Sequence, residues 1–300
     1  MPDDDDQTYL FMGSSATGLF NLAYGSRVRV LRYSGATAKG LGQNNKNSQH
    51  IWEMLSGKYA RVDLSAVVWF FGDVDVKFSF YYKLCSEWDG TPDEKPDPFV
   101  VMEQCASTYM IFVKRVHDTF LHKRQIKTAV LGAEPNGAPP SILFEQLVKY
   151  FVTPDSAVNK RRVEESTTAC HPELLRKKYN STLQALCIEH GFEYVDLDQK
   201  LLKEGDVMSS LDQSVTKDEY VDISPTSVHL NWEGNLKLYI VKLREIGIYI
   251  NDTLDLDLTR DEYINEKRNR KRKPVAAIEE RRLKSLKTHI DERGDEHKWV

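Results

Sequence analysis

Along this chain a short apolar run repeatedly breaks off at small residues, and helix-like periodicity takes over. Residues 9–12 (YLFM) stop at Gly13-Ser14-Ser15, 28–33 (VRVLRY) at Ser34-Gly35, 66–71 (AVVWFF) at Gly72 and 126–131 (IKTAVL) at Gly132; 192–197 (FEYVDL) is one more such run. Between and after them the spacing predicts helices over 48–58, 99–123, 172–190 and 232–244, with Gly57, Gly191 and Gly247 placed as stops. Strands alternating with helices build a parallel sheet covered on both faces, and the unbroken run AVVWFF suits a strand with no wet side. The expectation is a three-layer α/β/α sandwich over residues 1–255, around a mostly parallel five-stranded sheet. Segments 85–98, 154–168 and 206–222 are polar or rich in Pro, Asp and Gly and read as surface loops. The first two of these are expected to shape a pocket. Phe78, Phe80, Tyr81 and Tyr82 suit core packing or the lining of that pocket.

Composition removes several classes of function. With 41% hydrophobic and 29% charged residues and a net charge of −4, this is the profile of a soluble globular protein. It does not suit nucleic-acid binding through overall positive charge. The 66–71 run is far short of the about 20 residues a bilayer span needs. The opening Met1-Pro2, followed by Asp3, Asp4, Asp5 and Asp6, is no secretory signal, and a cytoplasmic location is expected. Cys85, Cys105, Cys170 and Cys187 form no C-x-x-C pair and read as reduced thiols, not as zinc ligands. Beyond residue 251 the composition shifts. Six of the seven residues 267–273 (KRNRKRK) are basic, and 279–289 is charged and helix-prone. A polar helical extension over 256–300 is expected; its basic run suits a solvated helix, a nuclear-targeting signal or a patch for an anionic surface such as nucleic acid.

Right-handed crossovers put the carboxyl ends of all parallel strands on one edge of the sheet, where ligands bind. Ser15, Gly35 and the Gly72-Asp73-Val74-Asp75 turn all fall at such ends. A late segment, Ser227-Val228-His229-Leu230-Asn231, directly precedes the last helix. A serine on the first turn and a histidine on the last loop suit a nucleophile and its general base. The N–H groups at the start of the first helix suit an oxyanion or a phosphate.

In their order these pieces resemble the four blocks of the SGNH (GDSL-like) hydrolases, over about residues 7–248. Gly13-Ser14-Ser15 is similar to the family's Gly-Asp-Ser, with the nucleophile on Ser15; Ser34-Gly35-Ala36 resembles the second block, whose glycine N–H binds the oxyanion. Gly72-Asp73-Val74-Asp75 stands where the family has Gly-x-Asn-Asp, and Thr226-Ser227-Val228-His229 where it has Asp-x-x-His. The resemblance implies acyl transfer from a small-molecule or glycan ester to water, without metal or organic cofactor. Ser15 is then the nucleophile and His229 the base, with the N–H groups of Ser15, Gly35 and Gly72 around the oxyanion. Three positions depart from the pattern: Ser14 replaces an aspartate, Val74 the asparagine of the oxyanion hole, and Thr226 the aspartate that orients the histidine. One lost oxyanion donor costs roughly 2.7–4 kcal/mol of transition-state stabilisation. Asp222, seven residues before His229, and Asp75 are the carboxylates that can take over the orienting role.

Two other readings use the same residues. Ser15-Ala16-Thr17-Gly18 resembles the phosphate loop of flavodoxin-like FMN-binding proteins, although Leu19 and Phe20 stand where a further hydroxyl belongs. The departures in the blocks, with the charged tail, also fit a non-catalytic interaction module on a hydrolase scaffold.

Overall fold

The computed structural model describes residues 8–23, 27–151, 157–205, 211–222 and 230–250; the extension expected over 256–300 lies outside them. Strands β1 (Thr8–Gly13), β2 (Val28–Arg32), β3 (Leu64–Phe70), β4 (Lys127–Leu131) and β5 (Glu193–Val195) form one parallel sheet in the order β2-β1-β3-β4-β5. This is the doubly wound order of the flavodoxin-like type. The chain leaves β1 toward one edge and then crosses back to build β3, β4 and β5 on the other side. The direction of winding therefore reverses between β1 and β3.

Alternate residues of each strand feed two separate cores. Leu10, Met12, Val67, Trp69 and Val130 face one layer, built from α1 (Ala38–Gly42), α2 (Lys46–Ser56), α3 (Pro98–Val116) and further helices after β4. Tyr9, Phe11, Val68, Phe70 and Leu131 face the opposite layer, built from the 3-10 helix Ser15–Leu22 and the last helix. Burial on both faces explains why β1 and β3 read as continuous apolar runs.

After β4 come α4 (Pro140–Phe151), α5 (Ala157–Ala169), α6 (Pro172–His190) and, after β5, α7 (Trp232–Glu245). α6 follows its sequence signals closely. Pro172 opens it, His171 caps it by accepting from the Glu173 N–H, and Gly191 ends it in the left-handed region at φ 69°.

Two stretches differ from the sequence reading. Segment 154–168 contains α5 where a loop is expected. It holds few apolar residues, so no stripe shows, and Arg162 docks it by donating to the carbonyls of Leu84 and Trp88 while its guanidinium lies over the Trp88 ring. Segment 85–98 begins as helix, because a run of α and π turns continues from Asp75 to Glu87 before the chain opens out. Within that run Phe80 and Tyr81 are buried, Phe78 is half-buried, and Tyr82 is exposed.

Candidate functional site

The end of β1 is pinned between its two neighbours. The Ser14 N–H donates to the Phe70 carbonyl at 3.0 Å, and the Tyr33 N–H donates to the Gly13 carbonyl at 2.8 Å. With strands about 4.8 Å apart, this lays the Ser14-Ser15 turn between the loop after β2 and the loop after β3. It is also the point where the winding reverses, the place at which open α/β sheets bind ligands. Ser15 is the first residue of its 3-10 helix and is half-buried, whereas Ser14 before it is fully buried. The Thr17 N–H donates to the Ser14 carbonyl at 3.3 Å, while the Ser15 N–H, at the first position, has no carbonyl within the helix to bond.

Beside it, Tyr33, Ser34, Gly35 and Ala36 form a turn closed by the Ala36 N–H donating to the Tyr33 carbonyl at 3.1 Å. Gly35 sits at φ 75°, the third position of a type II turn, which requires glycine or asparagine. The Gly35 N–H takes no part in the closing bond, and Gly35 is solvent-exposed. On the other side Gly72 adopts φ 119°, and the Tyr179 ring occupies the space a side chain would fill.

Asp75 lies fully buried between these loops. It accepts from the Ala38 N–H at 2.5 Å, the Lys39 N–H at 3.2 Å and the Ser79 hydroxyl at 3.3 Å. It thus ties the loop after β3 to the start of α1, three residues beyond Gly35. Burial raises its pKa to about 6, the Ala38 and Lys39 N–H groups offsetting part of the shift.

The last loop is described only at its two ends. His229 and Thr226 lie outside the described residues; Asp222, half-buried, is within them. Val221 and Leu230 pair as an isolated antiparallel bridge, and the Asn231 N–H donates to the Tyr220 carbonyl at 2.8 Å. α7 then starts with the Trp232 ring against Gly18, three residues from Ser15. The chain on either side of His229 is therefore closed by pairing, and the residues just after it return to the helix that Ser15 begins.

Thr17 weakens the phosphate-loop reading. It is fully buried, and its hydroxyl turns back to donate to the Phe70 carbonyl at 3.4 Å, not outward to a ligand.

One group escaped the sequence reading. Past β3 and β4, Asp73 accepts from Lys77 Nζ at 2.7 Å, with both side chains at most 5% exposed. Glu134, buried beyond the end of β4, accepts from Asn235 Nδ2 at 3.3 Å. Burial, and next the charge of Asp73, raise its pKa to about 8, with Lys77, Tyr239 and Arg176 acting the other way. Farther along the same edge Arg176 donates to Glu173, to both carboxylate oxygens of Asp198 at 2.7 and 2.9 Å, and to the Ala133 carbonyl at 2.9 Å. The one available signal is an acid, Glu134, three residues past a parallel strand; Asp73 is visible only as part of a turn. Among the described residues no three His, Cys, Asp or Glu side chains come together as a metal site, and no helix is long and apolar enough to cross a membrane.

No protein-family model and no curated protein sequence matches the chain. Several solved structures are similar to it in overall course. A protein assigned as an acylhydrolase from Bacteroides fragilis is 14% identical, with 81% of this chain and 88% of that one covered and a TM-score of 0.43. An extracellular lipase from Streptomyces rimosus is 14% identical, with 80% and 99% covered and a TM-score of 0.41. A carbohydrate acetylesterase from Sinorhizobium meliloti is 12% identical, with 80% and 98% covered and a TM-score of 0.39.

Proposed function

We propose that this chain is an SGNH-like hydrolase of carboxylic esters, with Ser15 as nucleophile and His229 as general base. The observation that carries this reading is the meeting of three loops at the β1/β3 reversal: Ser15 opening a helix, the type II turn at Gly35 and the constrained Gly72. Ser15 Oγ attacks the ester carbonyl while His229 takes its proton. The charge that develops on the carbonyl oxygen falls to the N–H groups of Ser15, Gly35 and Gly72. Collapse expels the alcohol with the proton from His229, and water then hydrolyses the acyl-serine with His229 again as base. The engagement of Asp75 with the Ala38 and Lys39 N–H groups favours Asp222 as the carboxylate that orients the imidazole. The chemistry calls for no metal or organic cofactor.

The test is hydrolysis of a short-chain aryl ester. The expected result is turnover that falls by roughly a thousandfold or more in Ser15→Ala and His229→Ala, with Ser15 labelled by a serine-directed phosphonate. Turnover that survives Ser15→Ala sinks the assignment of the nucleophile. A folded protein with neither turnover nor labelling supports the interaction-module reading instead, which Val74 and Ser14, in place of the family's polar residues, favour.

A further inference from the structure

We propose that Glu134 is a positioning residue for the loop that carries His229, acting through Asn235 as a proton-dependent seat for α7. The role given to the loop rests on the hydrolase reading; the seat itself does not.

Four features converge. Glu134 stands just past the end of β4, and its carboxyl is buried and accepts from Asn235, on the first turn of α7. The Tyr239 hydroxyl, one turn further on, is a second polar neighbour from the same helix. α7 follows the last loop directly, and its first residue, Trp232, rests on Gly18 in the helix that Ser15 begins. Whatever holds Asn235 and Tyr239 therefore sets where the end of that loop can lie relative to Ser15.

The charges around this carboxyl come from three sides. Asp73 and Lys77 face it from the segment after β3, Arg176 from α6, and Tyr239 from α7. Its ionisation would place a second buried carboxylate near Asp73. A neutral carboxyl keeps the acceptor that Asn235 needs, without that repulsion. Next to it lies a cavity of about 20 Å³ bordered by Lys77, Glu134, Asn136, His171, Glu173 and Arg176. This is room for about one water molecule. One water there hydrates a buried carboxylate only in part, so ionisation favours the state in which α7 lifts away and exposes the charge. The pKa of about 8 puts this change at mildly alkaline pH.

The test uses amide hydrogen exchange of the full chain between about pH 6 and about pH 9.5, corrected for the chemical exchange rate. Wild type is expected to lose protection of the α7 amides by about tenfold across that range, while α6 stays protected. Glu134→Gln, which keeps the acceptor and cannot ionise, is expected to hold α7 protection flat. Ester turnover should lose its alkaline limb in the same variant and stay within about twofold of wild type near neutral pH. Equal loss of α7 protection in wild type and Glu134→Gln overturns the proposal, as does constant protection in wild type, a measurement that needs no variant to fold. Exchange behaving as expected, in a protein whose turnover ignores Ser15→Ala, would leave the seat standing and remove only the hydrolase reading.

Discussion

Gly35 and Gly72 carry the same expected duty, an N–H at an oxyanion, yet their surroundings differ and so do the consequences of changing them. A Cβ on Gly72 would stand 2.5 Å from ring atoms of Tyr179, whose hydroxyl donates to the Phe71 carbonyl at 3.3 Å. The backbone there is also at φ 119°, which an alanine reaches only under strain. Gly72→Ala combines overpacking with that strain and is expected to cost about 2–4 kcal/mol of folding stability, read from urea denaturation. At Gly35 nothing lies within 4 Å of the added carbon, and only φ 75° opposes it. Gly35→Ala is therefore expected to cost about 1 kcal/mol. Its main effect under the hydrolase reading is a lower kcat at nearly unchanged KM, because the turn must shift the N–H it presents. A comparable stability loss in both variants would contradict the packing difference.

At the scale of elements, Arg176 joins three pieces that local sequence cannot relate. It bonds Glu173 on its own helix, Asp198 after β5 and the Ala133 carbonyl after β4, and it is 2% exposed. Arg176→Ala leaves Glu173 buried without that partner and is expected to destabilise the fold by about 3 kcal/mol or more. A loss under about 1 kcal/mol in chemical denaturation would place this network among the energetically silent ion pairs. The same contrast explains what was legible in the sequence. The five strands, α3, α6 and α7 announce themselves because apolar runs and glycine stops are local signals. α5 does not, since its attachment depends on Arg162 meeting the Trp88 ring and two distant carbonyls. Ser15, Gly35 and Gly72 could be placed on one edge from topology alone. The buried group of Asp73, Lys77, Glu134 and Asn235 could not, because its members come from the segment after β3, the loop after β4 and α7, whose approach only the packed sheet fixes. Asp75 was visible as a carboxylate, but its hold on Ala38 and Lys39 was not.

Over the whole molecule, two buried carboxyls lean the same way. Asp75 has its pKa raised to about 6 and Glu134 to about 8, both first by burial. In the unfolded chain both ionise near about pH 4. Between these limits the folded state binds more protons than the unfolded one, so stability falls as pH rises. The contribution of Asp75 is lost between about pH 4 and about pH 6, and that of Glu134 continues falling to about pH 8, at about 1.4 kcal/mol per pH unit for each group while it lasts. On the acid side His117 opposes the trend. Burial lowers its pKa, so it favours unfolding as pH falls through the histidine range. The thermal midpoint of wild type is thus expected to be higher at mildly acidic pH than at about pH 8, and Glu134→Gln to remove most of the decline above about pH 6. A midpoint that rises steadily from pH 5 to pH 8 in wild type would mean that neither carboxyl has its pKa raised by the fold and that Glu134 is ionised at neutral pH. Glu134 would then carry its charge through the whole physiological range, and the seat it gives α7 would not depend on a proton.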